Sequence, residues 1–275
     1  MPSTRTRTRR FRPDRARQAW DEAIDVWEDF QESGKDYHRD RVHGPALLTA
    51  VGRVEGLAIL DLGCGQGRFA RQLAERGGVV TGVDWSRAMI TAARARERTT
   101  PLGIDYRILD ARTLARHFPD ERFDMVVACM SLMDMPDLPR VVRGAHRVLR
   151  PGGRFVFSVS HPFNTSALGW EHRKRKDRGA MRFNDYYSEG PRVLHWGMPR
   201  LKRPFSTPYW HRTLESWFST LGRAGFLIES LIEPRASSRD ARAIRQLAGT
   251  RKVPFYLVLS CRKLPDARGK SVRMR

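Results

Sequence analysis

Cysteine, lysine and long apolar runs are all scarce in this sequence. Its 275 residues hold three cysteines, Cys64, Cys129 and Cys261, and none forms a CxxC pair. That argues against a disulfide framework and a cysteine-rich zinc site, and makes a reducing cytoplasm the natural compartment. No window approaches the roughly 18 to 20 apolar residues of a membrane-spanning helix. No apolar signal region follows residues 1–7, so secretion is not indicated. Lysine supplies only seven of the 51 basic side chains. The rest are arginine, which binds phosphate bidentately but also accumulates through Arg-rich coding without any function.

Acidic residues number 30, so the formal net charge is +21. A basic excess invites a nucleic-acid reading, and the distribution weakens it. Residues 1–17 carry +6, residues 171–203 carry +6 and residues 262–275 carry +5, which leaves only +4 for everything else. The charge therefore sits in two tails and one internal segment. Hydrophobic residues make up 40 % of the chain, enough for a substantial core.

Residues 1–17 read as a basic disordered arm and 263–275 as a basic tail. Between them, 18–262 reads as a single domain. Trp20, Ala23, Ile24, Trp27 and Phe30 recur at three- and four-residue steps, which predicts a helix over 18–30 with these side chains on one face. A second helix is predicted over 37–51, with a possible break at Gly44-Pro45. From residue 58 onward, strands alternate with helices. Strands are predicted at 58–62, 79–83, 104–109, 123–129, 155–160, 226–232 and 255–260, with helices over 68–76, after Ser86, over 138–149 and over 213–224. This rhythm predicts an α/β fold: a Rossmann-like, mostly parallel sheet of seven strands flanked by helices. Residues 161–208 break the rhythm. They are polar, basic and aromatic-rich, and read as an insert after the fifth strand.

The most specific segment is Asp61-Leu62-Gly63-Cys64-Gly65-Gln66-Gly67-Arg68, between a strand and a helix. A dinucleotide fingerprint needs a third glycine at position 68, where Arg stands. A carboxylate before the glycines suits a ligand carrying a cation better than a pyrophosphate. Asp84 ends the next strand, 23 residues on, where an acid can accept from both ribose hydroxyls. Trp85 beside it can cover a purine face. Asp110-Ala111 ends the third strand, where a carboxylate can accept from an adenine amino group.

These features resemble the class I S-adenosylmethionine-dependent methyltransferases, close to the ubiquinone/menaquinone-biosynthesis type of small-molecule enzyme. The segments that carry the resemblance are LDLGCGQGRFA (60–70), GVDWS (82–86), LDARTL (109–114), FDMVVACMSLMDMPD (123–137) and RVLRPGGRFVFSVSHP (147–162). The resemblance implies S-adenosyl-L-methionine as cofactor. It implies Asp61, Gly63, Cys64 and Gly65 toward the methionine part, and Asp84 on the ribose with Trp85 against the adenine. Asp110 and Ala111 fall at the adenine edge, and Cys129 contacts the cofactor through its backbone. It also implies an N-terminal aromatic over the cofactor, for which Tyr37 is the candidate. No metal is implied.

Methyl transfer from a sulfonium is an in-line displacement, so the protein chiefly positions the acceptor and excludes water. Where the acceptor must lose a proton, His161 after the fifth strand is the candidate base. The leading reading is a methyltransferase for a small, aromatic or amphipathic acceptor, with the insert supplying selectivity. Two readings stand beside it: an RNA methyltransferase using the basic tails, and a catalytically inert cofactor-binding protein. The Pro-Pro-aromatic and Pro-Cys elements of enzymes that methylate base amino groups or cytosine carbon are absent after the fourth strand. A quinone-like acceptor would imply contact with a membrane surface, which the basic tails can also serve.

Overall fold

A computed structural model describes residues 13–171, 180–196 and 201–265. Most of the predicted arm, part of the insert and most of the predicted tail therefore lie outside the described residues.

The chain opens with α1 (Pro13–Glu32). This helix starts five residues before the predicted boundary, because Pro13 fits a first helical turn, where its missing N–H costs no hydrogen bond. No break falls at Gly44-Pro45: a π-helical turn, Arg39–His43, runs directly into α2 (Gly44–Val51). Then follow β1 (Ala58–Leu62), α3 (Arg68–Ala74), β2 (Val79–Asp84), α4 (Arg87–Thr99), β3 (Asp105–Ile108), α5 (Leu114–His117), β4 (Phe123–Cys129), α6 (Leu138–Val148) and β5 (Leu149–Ser160).

The insert contributes α7 (Pro162–Thr165) and two antiparallel hairpins. One pairs β6 (Ala167–Glu171) with β7 (Ala180–Phe183), and the other pairs β8 (Gly190–Trp196) with β9 (Phe205–His211). It thus runs to His211, three residues past the predicted end. The domain closes with α8 (Leu214–Arg223), β10 (Phe226–Ile232), α9 (Ser238–Ala243) and β11 (Tyr256–Lys263). Lys263 belongs to this last strand rather than to a tail. It is buried, and its ammonium donates to Leu149 O at 2.8 Å.

The main sheet has seven strands in the order β10-β11-β5-β4-β1-β2-β3. All neighbours are parallel except β11, which runs against both β5 and β10. Successive residues of a strand point to opposite faces, and the core divides accordingly. Leu60, Val126, Phe155 and Phe157 pack with α6 and α8 on one face. Ile59, Met125, Val127 and Val156 pack with α2, α3 and α4 on the other. Burial on both faces explains why β1 and β4 are nearly all apolar. The parallel strands deliver their C-terminal ends, and the predicted acids with them, to one edge of the sheet.

Candidate active site

At that edge lies a cavity of about 510 Å³, lined from below by the strand tips and from above by α1 and the β8–β9 hairpin. Nine of the expected cofactor residues line it: Asp61, Gly63, Cys64, Gly65, Asp84, Trp85, Asp110, Ala111 and Cys129.

The glycine turn after β1 is a matter of space. Gly63 has φ +74, and a Cβ there would stand 2.5 Å from the Ser131 Cβ. Gly67 has φ +84, and a Cβ would stand 2.2 Å from the Tyr106 hydroxyl oxygen. Only glycine accommodates both the left-handed backbone and these neighbours. The turn is tied to β2, since the Gly63 and Cys64 amides donate to Val83 O at 2.8 and 3.0 Å. The Gly65 amide donates to Asp84 Oδ2 at 2.9 Å, and the Ser86 amide to Asp84 Oδ1 at 2.9 Å.

The acids differ in their surroundings. Asp61 is fully buried, and among the described residues neither carboxyl oxygen has a hydrogen-bond partner of good geometry, the Ala70 amide pulling on it only weakly. Burial, reinforced by the neighbouring Asp84 charge, pushes its pKa up to about 7. Burial also raises Asp84, to about 6, against the pull of the two amides that donate to it. Asp110 is the opposite case. Burial works to raise it, but hydrogen bonds from the Arg112 side chain and amide more than offset this and hold it below its ordinary value. Burial drives the Cys129 thiol up to about 12 and the Cys64 thiol well above its usual value, which disfavours the thiolate of both.

Tyr37 and His161 are not brought into the cavity lining. Tyr37 packs against Val42, Ala236 and Leu247. His161 is buried at the start of α7, where its Nδ1 accepts from the Phe163 amide at 3.2 Å and its ring stacks on Phe163. Its Nε2 stands 3.2 Å from Glu233 Oε1, and burial lowers its pKa to about 4. The ring sits at the turn from β5 into α7.

Several lining residues carry no recognisable motif. The π-helical turn adds Arg39, Asp40 and His43, beside Asp36 and His38. Arg39 pairs with Asp40 at 3.0 Å and lies 3.6 Å from Asp36. Asp134, on the 3₁₀ turn Leu132–Asp134 after β4, lines the cavity as well. The dense run Asp36-Tyr37-His38-Arg39-Asp40 was the available signal for the first group. For Asp134 it was the acid in Leu132-Met133-Asp134 just past a strand tip.

The roof is aromatic. Trp27 meets Trp20 at 5.6 Å, Phe30 at 5.9 Å and Trp196 at 5.2 Å between ring centroids, and Trp196 stacks on Phe205 at 5.6 Å. Outside these rings, Arg203 donates to Asp25 Oδ1 at 2.7 Å and to Glu22 O at 2.6 Å, and Lys202 pairs with Asp29. From below, Asp21 Oδ1 accepts from Ser86 Oγ at 2.6 Å and ties α1 to the tip of β2. The helical face and the insert therefore meet over the strand tips.

Comparison with known proteins agrees with this geometry. Residues 60–157 match the family model described as a methyltransferase domain. An S-adenosylmethionine-dependent methyltransferase from Mesorhizobium loti superposes with a TM-score of 0.67 and 34% sequence identity, covering 79% of this chain and 96% of that one. A structure described as a putative S-adenosylmethionine-dependent methyltransferase from Listeria monocytogenes superposes with a TM-score of 0.65 and 25% identity, covering 80% of this chain and 96% of that one. A ubiquinone biosynthesis O-methyltransferase of Pseudomonas syringae is 36% identical over 104 residues, which is 38% of this chain and 44% of that enzyme. The match thus spans less than half of that relative's length.

Proposed function

This chain belongs to the S-adenosylmethionine-dependent methyltransferases, and we propose that it methylates a small acceptor of aromatic or amphipathic character. The cavity carries this reading. Its acid-and-glycine floor continues into a roof of tryptophan and phenylalanine rings, and its volume of about 510 Å³ falls in the range of small-molecule sites. The Pseudomonas relative's role in ubiquinone biosynthesis points the same way.

The floor fits the cofactor. The two buried oxygens of Asp61, which lack a well-placed donor among the described residues, suit a ligand that brings donors and positive charge. When bound, S-adenosylmethionine supplies a methyl group on a cationic sulfur. In this reading Asp61 and the Gly63–Gly67 turn face its methionine part. Asp84 is already oriented by two backbone amides and has lone pairs left to accept from the ribose hydroxyls. Trp85 covers the adenine, Asp110 and Ala111 meet its edge, and Cys129 offers backbone. The aromatic roof excludes water and holds the acceptor, which is where the protein contributes most to an in-line transfer.

The test is incubation with methyl-labelled S-adenosylmethionine and extract of the source cells, followed by separation of the label. Label in the organic-soluble fraction is the expected result. Label in nuclease-sensitive material would instead establish the RNA reading, and binding without turnover the inert one.

A further inference from the structure

The cavity floor divides along the sheet order. The acids of the cofactor end stand at or just past the tips of β1, β2 and β3, and the tips of β4 and β5 make the other half. Over that half the lining comes from Met133 and Met135 after β4, Thr165 at the end of α7, and Thr207 and Tyr209 on β9. This is the end left for an acceptor.

Thr165 is held in place there. Its carbonyl accepts from Tyr209 Oη at 3.1 Å and from Arg192 Nη1 at 3.0 Å. Its hydroxyl oxygen lies 2.6 Å from Nδ1 of His211, the last residue of β9. His211 is fully buried, and its Nε2 lies 2.7 Å from Tyr186 O. A carbonyl only accepts, so Nε2 carries a proton. The neutral ring therefore presents an unprotonated Nδ1, to which Thr165 Oγ1 donates. The protonated ring is accommodated as well: Nδ1–H donates to Thr165 Oγ1, whose own proton turns to Pro162 O at 3.1 Å. Every donor has an acceptor in both states, as a buried group that gains and loses a proton requires.

We propose that Thr165 and His211 form a proton relay for a hydroxyl acceptor, Thr165 touching the acceptor and His211 behind it taking up the proton, an inference that rests on the small-acceptor reading of this cavity. The step balances. The acceptor hydroxyl gives its proton to Thr165 Oγ1 as Thr165 passes its own to His211 Nδ1. The acceptor oxygen then forms the O–C bond to the methyl group while the C–S bond breaks with its electron pair going to sulfur. The positive charge lost by sulfur reappears on the imidazolium. Once the methyl ether has left, that proton returns through Thr165 to solvent. A neutral amine attacks before it loses a proton, so a base placed behind a hydroxyl serves an O–H acceptor. Burial holds the His211 ring below its ordinary pKa. The Tyr186 carbonyl and Glu189 pull it upward in part, while Arg192 and Arg212 press it down. The Tyr186 ring meets the imidazole edge-on at 5.9 Å. The ring is thus neutral near neutral pH, the form that can accept a proton.

The experiment gives the full-length protein saturating methyl-labelled S-adenosylmethionine, with the organic-soluble extract of the source cells as acceptor pool. Initial rates of label transfer are measured from about pH 5 to about pH 9, and S-adenosylhomocysteine affinity by calorimetric titration. The wild-type rate should fall toward acid, with its inflection below the ordinary histidine value of about 6.5. Thr165→Val, close in size but without the hydroxyl, should lower the plateau rate at least about 100-fold and remove the inflection, with S-adenosylhomocysteine affinity within about 2-fold. Thr165→Ser should bring the rate back to within about 5-fold of wild type. His211→Gln, which keeps a donor for Tyr186 O, should match Thr165→Val. If it fails to bind S-adenosylhomocysteine, the two Thr165 variants decide alone. Product NMR should place the label on oxygen. A smaller loss in Thr165→Val, no recovery in Thr165→Ser, an inflection that survives in either relay variant, or label on carbon or nitrogen would overturn the relay and leave the small-acceptor reading standing. Label in RNA, or in no fraction, would remove that reading and the relay with it.

Discussion

Below the cavity, Asp84 is held by the amides of Gly65 and Ser86, both within 20 residues of it. Above it, Trp27 is held by ring contacts with Trp196 and Phe205, nearly 170 residues away or more. The floor is thus made of short-range backbone geometry at the ends of buried strands. The roof is made of side chains from two distant segments, closed by exposed ion pairs. A floor of this kind tolerates little change, because each hydrogen bond and each glycine is fixed by its neighbours. A roof of this kind adapts, since ring contacts and surface ion pairs have many near-equivalent arrangements.

That contrast can be broken in four places. The largest effect is expected at Asp84→Ala, which removes the acceptor for two amides and, in the proposed site, for the ribose. Hydrogen bonds to a charged group are worth about 1.5–3 kcal/mol each, so cofactor affinity should fall on the order of 100-fold or more. Calorimetric titration with S-adenosylhomocysteine checks this, and retained tight binding would remove Asp84 from the site.

Gly67→Ala comes next. The left-handed backbone costs roughly 1–2 kcal/mol for a residue with a Cβ, and crowding against Tyr106 adds about 1–3 kcal/mol. Chemical denaturation should show a loss in that range. An unchanged midpoint would mean that the floor is more plastic than its geometry implies.

The third place is pH. Asp61 and Asp84 hold their protons to about 7 and about 6, above the ordinary carboxylate value. A raised folded-state pKa means that the folded chain keeps protons the unfolded chain has already lost. Their contribution to stability is therefore greatest below the ordinary carboxylate range. It declines as pH rises toward 7. A cationic ligand favours the ionised acids, so cofactor affinity should rise by up to about 10-fold between pH 6 and 8. Titrations at several pH values check the slope, and a flat profile would mean that neither acid meets positive charge. The smallest effect is expected at the roof. Arg203→Ala removes a half-exposed ion pair worth about 0–1 kcal/mol, and S-adenosylhomocysteine affinity should change less than about 2-fold. A large loss there would mean that roof and floor act as one unit.

Legibility in the sequence follows the same division. β1 and β4 have the predicted bounds because an apolar run between turns identifies a buried strand, and the edge strand β10 has them as well. The floor acids were readable as strand-tip carboxylates at regular spacing. The π-helical turn Arg39–His43 was not, because one extra residue in a helical turn leaves the apolar periodicity almost untouched. Nor were α9 and the 3₁₀ segment Arg245–Arg251, which are short and carry little apolar pattern. β5 begins at Leu149, six residues before the strand predicted at 155–160, because Pro151-Gly152-Gly153 continues the extended chain rather than interrupting it. His161 reads as a base because it follows a strand tip, and only tertiary structure shows its ring buried against Phe163 and Glu233.

The antiparallel β11 has a consequence for how the chain is made. It sits between β5 and β10, so β5 lacks its second neighbour until β11 arrives. Ser160 and Tyr256, partners across that seam, are separated by nearly a hundred residues. At synthesis rates of roughly 5–20 residues per second, β5 waits about 5–20 seconds on the ribosome with its edge open. During that interval a strand rich in Phe and Val offers unpaired amides and carbonyls to any neighbouring chain. Nascent chains cut short before Tyr256 would keep that edge, which makes β11 the strand that turns an adhesive edge into a paired one.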